Sequence, residues 1–206
     1  MLREMLRNTN WSHAEFVDSA TAAMAEIKAN PPDLVFTDWQ MPGQSGLELI
    51  RAIRDYQPEI VLASALADRH PDHGRAGKLI SDACFLSGLR KIITTDKEGR
   101  PQDQWRPKYV FHFIQDRFYQ PSFVYDTSAV FERKLEAIRC YSSQFHSTTY
   151  NKDESQTYIS GPEFLGSIVG RDQMLGKMIG VSYAEAFISE KMIGISNMDA
   201  FVQIDT

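Results

Sequence analysis

Residues Asp68, Arg69, His70, Pro71, Asp72, His73 and Gly74 hold the densest set of reactive side chains in the chain. Two imidazoles with nearby carboxylates can supply a metal ligand, a general acid or oxyanion donor, and a carboxylate that fixes a ring tautomer. The plainer alternative is a helix N-terminus capped by aspartates, with solvated histidines. A catalytic zinc takes three protein ligands, and this turn offers at most two. Its position gives the turn weight. It follows the apolar run "EIVLASAL" and precedes a helical pattern opened by Pro71, a favoured first helical residue. In open α/β sheets, ligands bind just beyond the carboxyl ends of such strands.

The elements that must position this turn follow from the hydrophobic period. Leu2, Met5 and Leu6 mark a helix, Ala14 to Val17 a short strand, and Ala20, Ala23, Met24 and Ile27 a helical face that stops before Pro31. "DLVFTD" at 33–38 reads as a strand, and "MPGQSG" breaks the chain. Leu47, Leu49, Ile50 and Ile53 then form a helical face that Pro58 ends. "EIVLASAL" has the composition of a buried parallel strand. After the histidine turn, Ile80, Ala83, Cys84 and Ser87 share one helical face, and residues 91–106 form a surface loop. Strands are expected at "KYVFHFI" and "SFVYDTS", and a helix along Phe131, Leu135, Ile138, Tyr141 and Phe145. A candidate lid at 146–157, a long helix from Phe164 to Ile179 and a strand at 185–191 complete the pattern. The alternation implies an α/β, Rossmann-like three-layer fold with a mostly parallel sheet and helices on both faces.

Composition excludes several classes. The chain has 206 residues, and its 22 Lys+Arg against 27 Asp+Glu give a net charge of -5, with no basic footprint for nucleic acid. The longest apolar run, Ile60 to Ala67, is too short to span a bilayer, and the charged start lacks the apolar core of a signal peptide. A cytoplasmic protein with no nucleic-acid or membrane partner is expected. Cys84 and Cys140 fit reduced thiols better than a bridge or a thiolate metal site. The aromatics Phe111, Phe113, Phe118, Tyr119, Phe123 and Tyr125 read as cross-strand packing ahead of a sugar pocket. His112, alternating with Phe111 and Phe113, reads as a satisfied structural histidine. Arg117 and Lys177 could meet a substrate carboxylate, though nothing in the sequence singles them out from ordinary surface charge.

"YQPEIVLASALADRHPDHGRAGKLISDACFLSGLRKI", "RPKYVFHFIQDRFYQPSFVYDTS", "KLEAIRCYSSQF" and "GRDQMLGKMIGVSYAEAF" occur in that order from about residue 54 to 190. Together they resemble the LmbE/PIG-L-type zinc-dependent N-deacetylases, most closely the bacillithiol-pathway branch acting on N-acetylglucosaminyl-malate. The resemblance implies His73 as a zinc ligand, His70 as the protonated group that stabilises the oxyanion, and Asp72 as the carboxylate tuning its imidazole neighbour. It also implies zinc as cofactor, an N-acetylglucosaminyl-type small molecule as substrate, and attack by zinc-activated water on the acetamide. That family takes its other zinc ligands and its general base from a His-Pro-Asp-Asp motif, which this sequence does not contain.

Upstream, "DLVFTDWQMPGQSGLELIRAIR" resembles the third strand, phosphoacceptor, turn and third helix of a response-regulator receiver domain, with Asp38 in the phosphoacceptor position. The receiver's acidic magnesium-binding pair would precede Met1. The expected organisation is therefore a chimera: a receiver-like segment at 1–54 and a deacetylase-like portion at 55–206, joined within the helix Leu47 to Tyr56 and packing as one continuous domain. The leading functional expectation is a metal-dependent N-deacetylase-type hydrolase of C–N bonds, impaired or inactive as it stands. A phosphoacceptor signalling module, or a fold-recombination product without its own function, are the alternatives.

Overall fold

The computed structural model describes residues 46–141 and 157–201. The elements expected between residues 2 and 38, Asp38 itself, Phe145 and nearly all of the candidate lid lie outside the described residues. Eight helices and strands concern us: α1 (Gly46–Tyr56), β1 (Ile60–Ala63), α2 (Pro71–Ser87), β2 (Tyr109–Phe113), β3 (Phe123–Asp126), α3 (Phe131–Arg139), α4 (Pro162–Ile179) and β4 (Ala184–Ser189). The strands form a sheet in the order β1-β2-β4-β3. The fold is α/β, as the periodicity indicates. β1 and β2 run parallel, with Ala63 opposite His112, whereas β2 and β4 run antiparallel. The chain divides into two compact units, residues 1–43 with 124–185 and residues 44–123 with 186–206.

In the second unit, β1, α2 and β2 make a crossover whose core is Ile50, Ile53, Ala63, Ala83, Cys84 and Val110. The helical face expected along Ile80, Ala83, Cys84 and Ser87 turns inward, with Ala83, Cys84 and Ser87 buried. α1 ends at Tyr56 because Gln57 takes a positive φ of 50° ahead of Pro58. Arg54 is the residue whose role the pattern hides. It is 4% exposed, and its guanidinium donates to the carbonyls of Ser87, Leu89 and Ile92 and to Thr94 Oγ1 at 2.7–2.9 Å. These acceptors gather at and beyond the C-terminal end of α2, where the helix dipole favours a cation.

One expectation needs correcting. "EIVLASAL" is parallel but not buried throughout: the strand is only four residues long, Ala63 is 1% exposed, and Ile60 and Leu62 are 52% and 54% exposed. Among the described residues β1 is an edge strand, so its outward-facing side chains are left uncovered. The thiols are free, Cys84 buried and Cys140 partly so. Burial pushes the Cys84 thiol up to about 11, and the Glu190 charge adds to the shift.

In the first unit, α3 ends at Arg139 instead of running on through Tyr141, because the backbone N–H of Tyr141 turns to the Ile138 carbonyl in a tighter turn. Phe131 stacks on Tyr183 with centroids 3.5 Å apart. Lys134 joins Asp172 at 2.5 Å and also Glu185, tying α3 to α4 and to the start of β4. α4 closes on Gly180, whose φ of 79° favours a residue without a Cβ. Among the described residues, no helix is long and apolar enough to cross a membrane.

Candidate functional site

β1 ends at Ala63, the chain crosses residues 64–70, and α2 begins at Pro71. His70 is the N-cap. Its backbone is extended, with φ -84° and ψ 125°, and its Nδ1 accepts the Asp72 backbone N–H at 3.3 Å. A histidine therefore does the capping that the plain reading gave to aspartates. An Nδ1 that accepts leaves the ring proton of neutral His70 on Nε2, as a donor on a ring that is half exposed.

Asp68 does something else. Its side chain is 1% exposed; Oδ1 accepts the backbone N–H groups of Asp116 and Arg117 at 3.2 Å each, and Oδ2 lies 2.5 Å from His73 Nδ1. Burial alone would raise this carboxyl. The hydrogen bonds from His73 and from the Arg69, Arg117 and Asp116 backbones outweigh it, so the carboxyl is held below the usual range. A carboxylate acceptor fixes the proton on His73 Nδ1 and leaves Nε2 with a free lone pair. This is the arrangement in which a second-shell carboxylate orients a metal-ligating histidine. The His70 and His73 rings lie 5.4 Å apart, tilted by 37°. The turn thus presents an oriented lone pair beside an N–H donor.

The structure brings His70, Asp72 and His73 together, as their spacing requires. The carboxylate that touches the His73 ring is Asp68, however. Asp72 is half exposed, with its carboxylate 3.8 Å from His70 Nδ1 and 3.1 Å from Arg75. Arg69 lies 3.7 Å from Asp116 at the edge of the turn. Arg117 contributes its backbone N–H, and its side chain is exposed, as is that of Lys177. His112 is a satisfied buried histidine, as expected, and Phe111, Phe123, Phe113 and Phe187 pack across strands at 4.7–5.4 Å. Sequence alone did not mark Asp68 as the tautomer-setting group, because its anchors, Asp116 and Arg117, lie nearly fifty positions away.

Residues 1–79 match the response regulator receiver domain. The chemotaxis protein CheY of Pseudomonas aeruginosa is 32% identical over 54 residues, covering 26% of this chain and 44% of that protein. A second likeness overlaps the first. The diacetylchitobiose deacetylase of Thermococcus kodakarensis is 29% identical over 157 residues, which covers 74% of this chain and 53% of that enzyme. A conserved protein of Thermus thermophilus, 28% identical, superposes with a TM-score of 0.59 over 77% of this chain and 62% of its own. The N,N'-diacetylchitobiose deacetylase of Pyrococcus horikoshii shares the fold, with a TM-score of 0.55 at 23% identity over 75% of this chain and 54% of its own. This chain joins two likenesses. It has a receiver match at its start and a deacetylase-type fold, and it spans only about half, or less, of the curated relatives it matches.

The zinc implied by the deacetylase likeness can be tested against the donor set. Among the described residues, no group of three His, Cys, Asp or Glu side chains converges on one point. His73 Nε2 is the one donor at the turn that a carboxylate orients, while Asp68 is fully engaged with His73 and two backbone N–H groups. The described residues therefore do not fit a three-ligand catalytic zinc.

Proposed function

We propose that this chain is a deacetylase-type hydrolase fold, of the branch that removes acetate from an N-acetylglucosaminyl small molecule in bacillithiol synthesis, and that it is impaired or inactive in the form given. The observation that carries the reading is the Asp68–His73 pair beside His70 at the carboxyl end of a parallel strand. It supplies an oriented imidazole lone pair and an oxyanion donor. One oriented imidazole would leave a bound zinc ion mostly hydrated. Without a positioned general base and the remaining ligands, the attacking water is not activated. The reading places the protein in the cytoplasm, away from membranes and nucleic acids.

The test is zinc titration by calorimetry, together with acetate release from N-acetylglucosaminyl-malate, on wild type, Asp38→Ala and His73→Ala. Weak binding that His73→Ala abolishes and Asp38→Ala leaves alone, with acetate release at background, supports the reading. Tight binding that needs both residues, with zinc-dependent turnover, overturns the inactive assignment.

The match of residues 1–79 to a receiver domain favours a second reading, a phosphoacceptor module using Asp38. A receiver needs a divalent cation to neutralise both the carboxylate and the incoming phosphoryl group. The deacetylase likeness covers 74% of the chain and the receiver match only residues 1–79, so this reading ranks second.

A further inference from the structure

We propose that His112 is a positioning residue: through the Ser64 carbonyl it fixes the segment 64–68, and thereby the Asp68 carboxylate against the His73 ring. The inference concerns the same turn as the proposed function, but it needs neither zinc nor substrate. It starts where the β1–β2 ladder stops. Ala63 is the last residue of β1 and lies opposite His112, so the Ser64 carbonyl comes after the last strand pair. His112 Nδ1 takes that carbonyl at 2.7 Å. A carbonyl only accepts, so Nδ1 carries a proton, and the Nε2–Glu190 contact needs a proton of its own.

The ring itself is held from two further elements. Its Nε2 lies 2.9 Å from Glu190 Oε1, just past β4, and 3.3 Å from the hydroxyl of Ser81 on α2. Ser81 also contacts the same Glu190 oxygen and the Gly77 carbonyl. The His112 side chain is 0% exposed and that of Glu190 is 36% exposed. Gly77 closes the other side, since a Cβ there would stand 2.7 Å from the carbonyl oxygens of both Ser64 and Ala65. At the far end of the segment, Asp68 is gripped by the backbone N–H groups of Asp116 and Arg117, a few residues beyond β2. The segment thus hangs between two anchors that belong to β2 and the chain just after it. Releasing the Ser64 anchor lets the segment shift, and the 2.5 Å contact of Asp68 with His73 lengthens.

The experiment follows the His73 Nδ1 proton in nitrogen-15 histidine spectra of the whole chain, with its signal assigned by loss in His73→Gln. In wild type the proton is bonded to Asp68 and exchanges slowly with water. His112→Asn keeps an N–H at the Nδ1 position and should preserve the signal. His112→Gln moves the donor to the Nε2 end and should speed exchange by about tenfold or more, the mark of a bond that now opens locally. A folded His112→Gln protein with wild-type exchange overturns the proposal, and so does equal behaviour of the Asn and Gln variants. Arg54→Lys, which loosens the unit away from the turn, should leave the signal alone; matching acceleration there would show general softening and refute a positioning role. If neither His112 variant folds, Gly77→Ala, which pushes the Ser64 carbonyl out of place, decides: faster exchange supports the proposal and unchanged exchange overturns it. Failure of deacetylation or of zinc binding would leave every one of these outcomes readable.

Discussion

Asp68→Asn separates charge from shape at the turn. Asparagine has nearly the same volume, and its Oδ1 can still accept the Asp116 and Arg117 backbone N–H groups. What changes is the contact with His73 Nδ1, where a carboxylate oxygen at 2.5 Å gives way to an amide N–H facing a ring N–H. A hydrogen bond to a charged group contributes about 1.5–3 kcal/mol. His73 is 40% exposed, so solvent screening puts the expected loss at the lower end, about 1.5 kcal/mol. To relieve the clash the ring must move its proton to Nε2, and the free lone pair is lost. Guanidinium unfolding at neutral pH should show this destabilisation with an unchanged m value. The sign with pH is fixed by the lowered Asp68 carboxyl. A group whose folded value is depressed stabilises above its unfolded value, about 4, and that contribution fades as the pH falls through the folded value. The gap between wild type and Asp68→Asn should therefore be full near pH 7 and shrink steadily below about pH 4. A gap absent at neutral pH, or one that persists undiminished in acid, would refute the reasoning.

Three further outcomes are expected. Arg54→Met leaves the Ser87, Leu89 and Ile92 carbonyls and the Thr94 hydroxyl without their shared donor, and should cost on the order of 3 kcal/mol in denaturant unfolding, since each buried polar group left unsatisfied costs about 1–3 kcal/mol. Gly77→Ala puts a methyl group against the Ser64 and Ala65 carbonyls and should lower stability by about 1–3 kcal/mol, the usual cost of overpacking, which a thermal melt would register. Incubation with a small phosphodonor should give no stable phosphate on Asp38 by mass spectrometry; an adduct that disappears in Asp38→Asn would revive the phosphoacceptor reading.

The elements with strong local signals are the ones the sequence made legible. Pro71 announces the start of α2, the 3.6 spacing of Ile50 and Ile53 announces the buried face of α1, and "YVFHF" announces β2. The interactions that organise the site carry no local signal. Asp68 looks like any polar turn residue until the backbone N–H groups of Asp116 and Arg117 arrive from beyond β2. Arg54 reads as a solvated helix charge, yet it is buried because α2 ends beside it with unpaired carbonyls. Asp72 stands next to both histidines in sequence, but the N-terminal turn of α2 aims it outward at Arg75. The family resemblance pointed to Asp72, which lies 3.8 Å from His70, whereas Asp68 is the carboxylate that the fold sets against His73.

The receiver match runs to residue 79, past the joint expected between Leu47 and Tyr56 and through the histidine turn. In this chain the overlap falls on α1, β1 and the first half of α2. α1 packs its inward face without a break against α2 and β2. Ile50 and Ile53 meet Ala83, Cys84 and Val110 in one core, and Arg54 binds carbonyls at 87–92. The chemistry of the turn does not follow from that shared frame. Most of the groups that orient His73 through Asp68, or hold the segment leading to it, lie beyond residue 79, namely Ser81, His112, Asp116, Arg117 and Glu190, while Arg69 and Gly77 lie within the receiver match.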